Sequence, residues 1–306
     1  MTINTITIGR QVRLLIGSNT VCFARFVPAV TRELIQNADG TMCGDRVHPV
    51  NRVRKGRKII RGTFTFDFTG AILSLLVPKL GLTDLTGGVY EVGSGDSLVE
   101  FDMKIDMGAT THYWTNCVVM GWSIRGAKGG SPMKITIDVS AEDETDTSSF
   151  SNNPLAIKDI FAFVDLTQSE YDSVGTGGTP VTLSADRFLL QVDNGVVVEH
   201  NSSVTRTGAK EGAWSGVIAT STPYLSSNKF AYWQYRDSEG PIASTIEFQN
   251  DDTSLLIEAP ACVPITSLAN VISKIDQVRT PITLQAQRTD NAGTRVAPLT
   301  LTIASV

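Results

Sequence analysis

The chain has 306 residues but only three histidines and four cysteines, and this scarcity removes several chemistries. None of His48, His112 and His200 lies within four residues of another histidine or of a cysteine, and no H-E-x-x-H pattern occurs. A lone histidine is usually a surface or satisfied core residue, so no histidine-based catalytic group and no metal site is expected. Cys22, Cys43, Cys117 and Cys262 form no C-x-x-C pair, which excludes cysteine zinc clusters and thioredoxin-like redox pairs; they are expected to be reduced, buried and apolar in behaviour. No apolar run approaches the roughly 18 to 20 residues that span a bilayer. The opening Met1-Thr-Ile-Asn-Thr-Ile-Thr-Ile8 alternates, unlike a charged end followed by a continuous apolar stretch. Neither a membrane helix nor a secretory signal is expected. Basic charge is also short, with 26 Lys and Arg against 31 Asp and Glu, so the net of -5 is not the overall footprint of a protein that grips nucleic acid.

Phosphate-binding loops are missing as well. The glycine groups Gly93-Ser-Gly95, Gly126-Ala-Lys-Gly-Gly130 and Gly175-Thr-Gly-Gly178 have no following helix and read as turns. S-x-x-K occurs at Ser131 to Lys134 and at Ser226 to Lys229, in a strand opening and a polar loop, where Ser and Lys do not share a helix face. Asp251-Asp252 and Glu142-Asp-Glu-Thr-Asp146 lack the spaced ligands and glycine of a calcium loop and read as solvated turns. No catalytic residue, cofactor or metal is therefore expected, and the chain reads as a non-enzyme.

What is present is alternation. Thr63-Phe-Thr-Phe-Asp-Phe68, Leu98-Val-Glu-Phe-Asp-Met-Lys-Ile105, Met133-Lys-Ile-Thr-Ile-Asp-Val139, Phe188-Leu-Leu-Gln-Val192, Ile282-Thr-Leu-Gln-Ala-Gln287 and Leu299-Thr-Leu-Thr-Ile303 carry apolar or β-branched residues at every second position. That is the period of strands with one buried face, so a mainly β fold is predicted. Two stretches read as helical. Ala71-Ile-Leu-Ser-Leu-Leu-Val77 follows Thr69 as N-cap and ends near Pro78 and Gly81, and Val30-Thr-Arg-Glu-Leu-Ile-Gln36 follows Pro28. A third, from Ser267 to Ile275, suits either period.

The chain changes character between residues 141 and 185, where an acidic polar run and a Gly-rich loop flank the apolar Ile157-Lys-Asp-Ile-Phe-Ala-Phe-Val164. A domain boundary is placed within this stretch, giving domains 1–160 and 161–306. Charge is uneven across the middle: residues 1–153 hold 16 basic and 15 acidic groups (+1), residues 154–306 hold 10 and 16 (-6). The halves also look like distant copies. Pro132-Met-Lys-Ile-Thr-Ile-Asp-Val139 resembles Pro281-Ile-Thr-Leu-Gln-Ala-Gln287, and pairing Ile135 with Ile282 gives an offset of 147. Asp96-Ser-Leu-Val-Glu-Phe101 resembles Asp252-Thr-Ser-Leu-Leu-Ile-Glu258 at a similar spacing. Duplication is one source of such likeness and chance similarity of amphipathic strands is the other.

Two local features stand out. Arg46, Arg52, Arg54, Lys55, Arg57, Lys58 and Arg61 place seven basic residues in sixteen positions. They read as a solvated hairpin turning at Gly56, as an electrostatic docking patch, or, without interleaved aromatics, more weakly as a nucleic-acid contact. Tyr113-Trp114 and Trp122 flank Cys117-Val-Val-Met120, and Phe230-Ala-Tyr-Trp-Gln-Tyr235 packs four rings into six positions. Sheet core and interface both suit such rings.

In order and spacing, these features resemble the tail tube proteins of long-tailed bacteriophages, in particular the kind with two tube domains in one chain. The residues that carry the resemblance are Ile59-Ile-Arg-Gly-Thr-Phe-Thr-Phe-Asp-Phe68 leading into Ala71-Ile-Leu-Ser-Leu-Leu76, and Tyr113 to Ile124 followed by Met133 to Val139. Arg187-Phe-Leu-Leu-Gln-Val-Asp-Asn-Gly195, Ser254 to Pro260 and Pro281 to Asn291 carry it in the second half. The match covers most of residues 55–303 and is weaker over the first 50 and over Ser202 to Ser227. The resemblance implies two tandem β-sandwich or barrel-like domains, each with a short flanking helix, and a self-assembling structural virion protein. Three chains would then make a pseudo-sixfold ring, with a hexameric ring as the alternative, and stacked rings would form the conduit for phage DNA. Its partners would be itself, other tail proteins at the tube ends, and the tape measure protein and DNA, held loosely, in the lumen. Such a protein would assemble in the host cytoplasm and reside in the virion tail. Within that reading, Arg52, Arg54, Lys55, Arg57 and Lys58 are candidates for a ring-stacking contact with Glu142, Asp143, Glu144 and Asp146 of a neighbour. A β-rich binding module using Tyr232, Trp233 and Tyr235 as a platform is the alternative, and a hydrolase with a dispersed site is the weakest.

Overall fold

The computed structural model describes residues 12–36, 53–92, 98–108, 110–129, 131–147, 149–155, 160–173, 181–182, 185–200, 203–223, 241–265, 279–291 and 294–305. The alternating segments form antiparallel strands. In the first half these are β1 (Arg13–Ile16), β2 (Asn19–Val21), β3 (Arg25–Gln36), β4 (Val53–Asp67), β5 (Phe101–Asp106), β6 (Thr111–Ala127), β7 (Lys134–Ala141) and β8 (Asp143–Thr147). In the second they are β9 (Leu166–Ser173), β10 (Val181–Thr182), β11 (Arg187–Asp193), β12 (Ser215–Pro223), β13 (Ile242–Gln249), β14 (Thr253–Pro264), β15 (Arg279–Ala286) and β16 (Thr300–Ser305). Shorter strands of two or three residues lie in the connections.

In the first half, one layer has the order β3-β4-β7-β6 and the other β2-β1-β5-β6-β8, with β6 shared. In the second half the orders are β11-β12-β15-β14 and β10-β9-β13-β14-β16, with β14 shared. All seven ladders of the first half recur, each strand being matched by the eighth strand after it.

The shared strand changes layer at the same kind of irregularity in both halves. Phe101 faces Cys117 and Met103 faces Trp114, so Asp102 alone opposes Thr115 and Asn116; Ile242 faces Cys262 and Ser244 faces Ala259, so Ala243 alone opposes Pro260 and Ala261. Such a bulge bends a strand and increases its twist, which lets β6 and β14 leave one sheet for the other. At the first of these bulges Asn116 takes the left-handed conformation (φ 47°). The cysteines seal the two bends. Cys117 Sγ donates to Trp114 O at 3.6 Å and Cys262 Sγ to Ala259 O at 3.8 Å, and both thiols are buried. Cys22, expected to be buried, is exposed at the end of β2.

The ladders also correct the repeat spacing. Val118 faces Ser140 as Val263 faces Gln285, an offset of 145 in both strands, so the counterpart of Ile282 is Ile137 and not Ile135. A slip of two residues keeps every side chain on its own face, which is why the likeness was still legible.

Helix α1 (Gly70–Leu76) forms where its pattern predicts, with Thr69 Oγ1 accepting from Ile72 N at 3.1 Å and a 3-10 turn at Val77–Lys79 continuing through Pro78. The other predicted helix does not form: Val30 to Gln36 belong to β3. Its partner β4 offers a ladder from Arg25↔Thr65 to Gln36↔Val53, and the β-branched Val30, Thr31 and Ile35 suit a pleated sheet better than a helix. Ser267 to Ile275 and the Phe230 to Tyr235 ring cluster lie outside the described residues. One contiguous apolar core runs through both halves. Among the described residues, no helix is long and apolar enough to cross a membrane.

Candidate functional site

The two halves meet at a sheet joint. β6 pairs with β11 from Gly121↔Asp193 to Ala127↔Arg187, so the layer continues through eight strands in the order β3-β4-β7-β6-β11-β12-β15-β14. On its core face Leu190 lies opposite Ile124 and Val192 opposite Trp122; Phe188, Leu190 and Val192 are at most 2% exposed. The strands approach closely at Gly121, where an added Cβ would stand 2.9 Å from the carbonyl oxygen of Val192. Past the end of β11, Asn194 Nδ2 donates to Leu80 O and Val119 O, both at 2.9 Å, and Trp122 Nε1 donates to Leu80 O at 3.1 Å. The second layer is joined as well: Val89–Glu91 of the first half pairs with β16, from Thr302↔Val89 to Thr300↔Glu91.

A side chain from the second half locks this arrangement. Arg206 is 1% exposed and inserts at the β6 bulge, where it donates to the carbonyl oxygen of Asn116 and to Glu100 Oε1 at 3.2 Å. Burial lowers its guanidinium pKa, opposed by the charges of Glu100 and Glu142. A buried cation is tolerable only when neighbouring charge and carbonyls replace its water.

At the far end of the same layer the corresponding edge is open. Val30 faces Ile60 as Val192 faces Gly216, and Ile60 faces Ala141 as Gly216 faces Ala286; by this register Phe26, Pro28 and Val30 of β3 match Phe188, Leu190 and Val192 of β11. Among the described residues no strand covers the outer side of β3. Phe26 is half-buried and stacks on Phe64 with centroids 4.5 Å apart, Pro28 is exposed and Val30 is 41% exposed. Beneath them opens a cavity of about 400 Å³, floored on the other layer by Ile105, Met107 and Trp114. At the opposite end of the eight-strand layer Val263 and Ile265 are exposed.

The charged residues singled out by sequence are placed differently from the expectation. The acidic run is not a solvated turn: Asp143 to Thr147 form β8, paired with β6. Lys58 Nζ reaches Asp143 Oδ1 at 2.9 Å and Glu144 O at 2.8 Å within the same chain. Glu144 accepts from Trp114 Nε1 at 3.0 Å and lies 3.1 Å from His112 Nδ1, and Glu142 accepts from Asn116 Nδ2 at 2.5 Å. Burial raises the Asp143 carboxyl, but hydrogen bonds from Lys58 and from the Glu144 N–H outweigh it and hold the group below its ordinary value. Of the acidic four, Asp146 remains widely exposed. On the basic side, Arg57 sits 3.8 Å from Glu33, while Arg54 and Lys55 are ladder residues opposite Ile35 and Leu34; Arg52 lies outside the described residues. Gly56 lies in a bulge of β4 and not in a hairpin turn. The proposed basic and acidic partners thus meet inside one chain, at Lys58 and Asp143.

Trp114 and Trp122 are core residues of β6. No group of three His, Cys, Asp or Glu that could hold a metal occurs among the described residues. The joint and the open edge were missed by sequence reasoning, although a signal was there: Arg25-Phe-Val-Pro-Ala-Val30 and Arg187-Phe-Leu-Leu-Gln-Val192 share R-F-x-x-x-V at matching strands. Asn194 and Arg206 sit in connections and carry no such pattern. A comparison of the chain with protein-family models finds no match, and a comparison with curated proteins finds none either.

Proposed function

We propose that this chain is a tail tube subunit, a structural virion protein of long-tailed phages that self-assembles into stacked rings forming a hollow conduit for DNA. The observation that carries the reading is the recurrence of seven strand ladders in the two halves, joined by β6 and β11 into one eight-strand layer. A unit made of two like sheet segments, with no further strand at either end among the described residues, is suited to continue from copy to copy around an axis. On this reading the halves are two related tube domains, three chains supply six domains, and the ring has pseudo-sixfold symmetry. The division by strand pairing falls a few residues after 160, because Phe161 still bonds to Phe68 and Met133 of the first half.

In such a tube the face of the layer turned from the core lines the lumen. Thr63, Ser123, Thr136, Gln191, Ala219 and Thr283 lie on that face by register. Lys134 there is paired with Asp67, and Thr63 donates to Asp138 at 2.5 Å. The same face also carries the exposed Arg25, Arg61, Arg125 and Arg187 by register, so loose holding of DNA rests on the chain's net charge of -5 and not on a lack of cations there.

Negative-stain microscopy of the purified chain at high concentration tests the proposal. Long hollow tubes, or rings with threefold or sixfold views, are expected. Discrete compact particles with saturable ligand binding would overturn it in favour of a β-rich binding module.

A further inference from the structure

We propose that the cavity beneath β3 in the first half is a binding site for a small aromatic amine, an aryl group carrying an ammonium head. This site does not depend on the tube reading. The second half shows the same place closed. Trp114 matches Ala259 at the bulge, so, counting outward along the ladders, His112 matches Ile257, Ile105 matches Ile246 and Met107 matches Phe248. Phe248 is fully buried, and its ring centroid lies 5.2 Å from that of Phe188, the counterpart of Phe26. In the first half Met107 brings no ring to this position and Phe26 stacks on Phe64 instead, leaving about 400 Å³ with Phe26, Ile105 and Trp114 among its walls. An aryl group is thus the shape the fold itself uses to fill this place, and the volume suits a small ligand.

The chemistry of the mouth differs in the same comparison. Thr145 faces Tyr113 as Thr300 faces Glu258, so Glu144 and Asp146 take the places of Leu299 and Leu301, and His112 that of Ile257. Those three are fully buried and apolar, whereas the first half puts two carboxylates and an imidazole at the corresponding ladder positions. Among the described residues the contacts of the Glu144 carboxylate, from Trp114 Nε1 at 3.0 Å and His112 Nδ1 at 3.1 Å, both end on Oε1, which leaves Oε2 to accept from a guest. Asp146 adds a second negative charge 3.8 Å from the same ring nitrogen. The neighbouring cations are directed elsewhere, because Lys58 bonds to the Asp143 carboxylate and the charge of Arg32 acts on it too. An ionised carboxylate can only accept hydrogen bonds, so the head group it selects is a donor and a cation.

The test is equilibrium binding to the full chain in dilute solution, with phenethylamine as the probe and phenylpropionate and phenethyl alcohol as controls of similar shape. Phenethylamine should bind saturably and about tenfold or more tighter than phenylpropionate. Glu144→Gln keeps an acceptor for Trp114 and should weaken phenethylamine about tenfold while leaving phenethyl alcohol unchanged. Met107→Phe supplies the ring present in the second half and should abolish binding of all three, with thermal unfolding no earlier than in the parent. No saturable amine binding, amine and carboxylate bound alike, an amine affinity unchanged in Glu144→Gln, or amine binding that survives Met107→Phe would each overturn the site. The comparison of amine with carboxylate uses the unaltered chain, so it decides even where a variant fails to fold. A chain that binds the amine and never forms tubes would leave this site standing and count against the tube.

Discussion

Strands β3 and β11 occupy equivalent places in two copies of one pairing scheme and carry the same R-F-x-x-x-V pattern, yet one is open to solvent and the other sealed. Val30 is 41% exposed and Val192 is 2%. The difference does not come from their own residues or from the strand on their inner side, which is supplied by β4 and by β12 in matching register. It comes from what lies on the outer side: β6 for β11, and no described strand for β3. An edge that buries three apolar side chains when covered is a latent interface when uncovered.

That comparison can be broken most forcefully with one substitution made twice. Phe188→Ala removes a buried ring and should cost about 3–5 kcal/mol in urea unfolding, whereas Phe26→Ala in dilute protein should cost less than half of that. Equal losses would mean that the two strands are equally packed. Next in size, Gly121→Val forces a side chain against the Val192 carbonyl and should destabilise by about 1–3 kcal/mol while leaving β3 unaffected. Asn194→Ala strips hydrogen bonds from Leu80 O and Val119 O and should cost about 1–2 kcal/mol, read by the same unfolding curves.

The bends of β6 and β14 sharpen the comparison through pH. Burial pushes the Cys262 thiol up to about 12 from an ordinary 9.0 and pushes the Cys117 thiol higher still. Because the folded state disfavours the thiolate, the stability these groups contribute is intact below pH 9 and is lost as pH rises through the folded values. Cys117→Ala with Cys262→Ala should therefore flatten the alkaline fall in stability measured by thermal melts from pH 8 to 11. The smallest effect is expected at Lys58 and Asp143, a partly exposed pair for which Lys58→Met should change stability by less than about 1 kcal/mol. The Asp143 carboxyl is held below its ordinary value, so its contribution is present above that value and fades as pH falls below it.

Much of this architecture was legible in the sequence because it depends on period. Alternation in Thr63 to Phe68, Met133 to Val139 and Phe188 to Val192 states which residues face inward, and the Thr69 cap with Pro78 marks the one described helix. Val30 to Gln36 misled because Leu34 and Ile35 fit a helical stripe, and only the presence of β4 decides between periods. The basic and acidic runs misled for another reason: charge is visible along a chain, but the contact between Lys58 and Asp143 depends on β4 and β8 being brought together in space. Arg206 is the extreme case, a single arginine in a polar connection that proves to be fully buried in the other half.

The account stands most directly on whether β3 becomes what β11 already is. Hydrogen exchange of the backbone amides from Arg25 to Thr31, measured on the chain diluted to monomer and on assembled rings or tubes, addresses this. The expected result is fast exchange on the outer side of β3 in the monomer, rising on assembly to the protection of Arg187–Asp193. Assembled particles in which β3 exchanges as fast as in the monomer would contradict it.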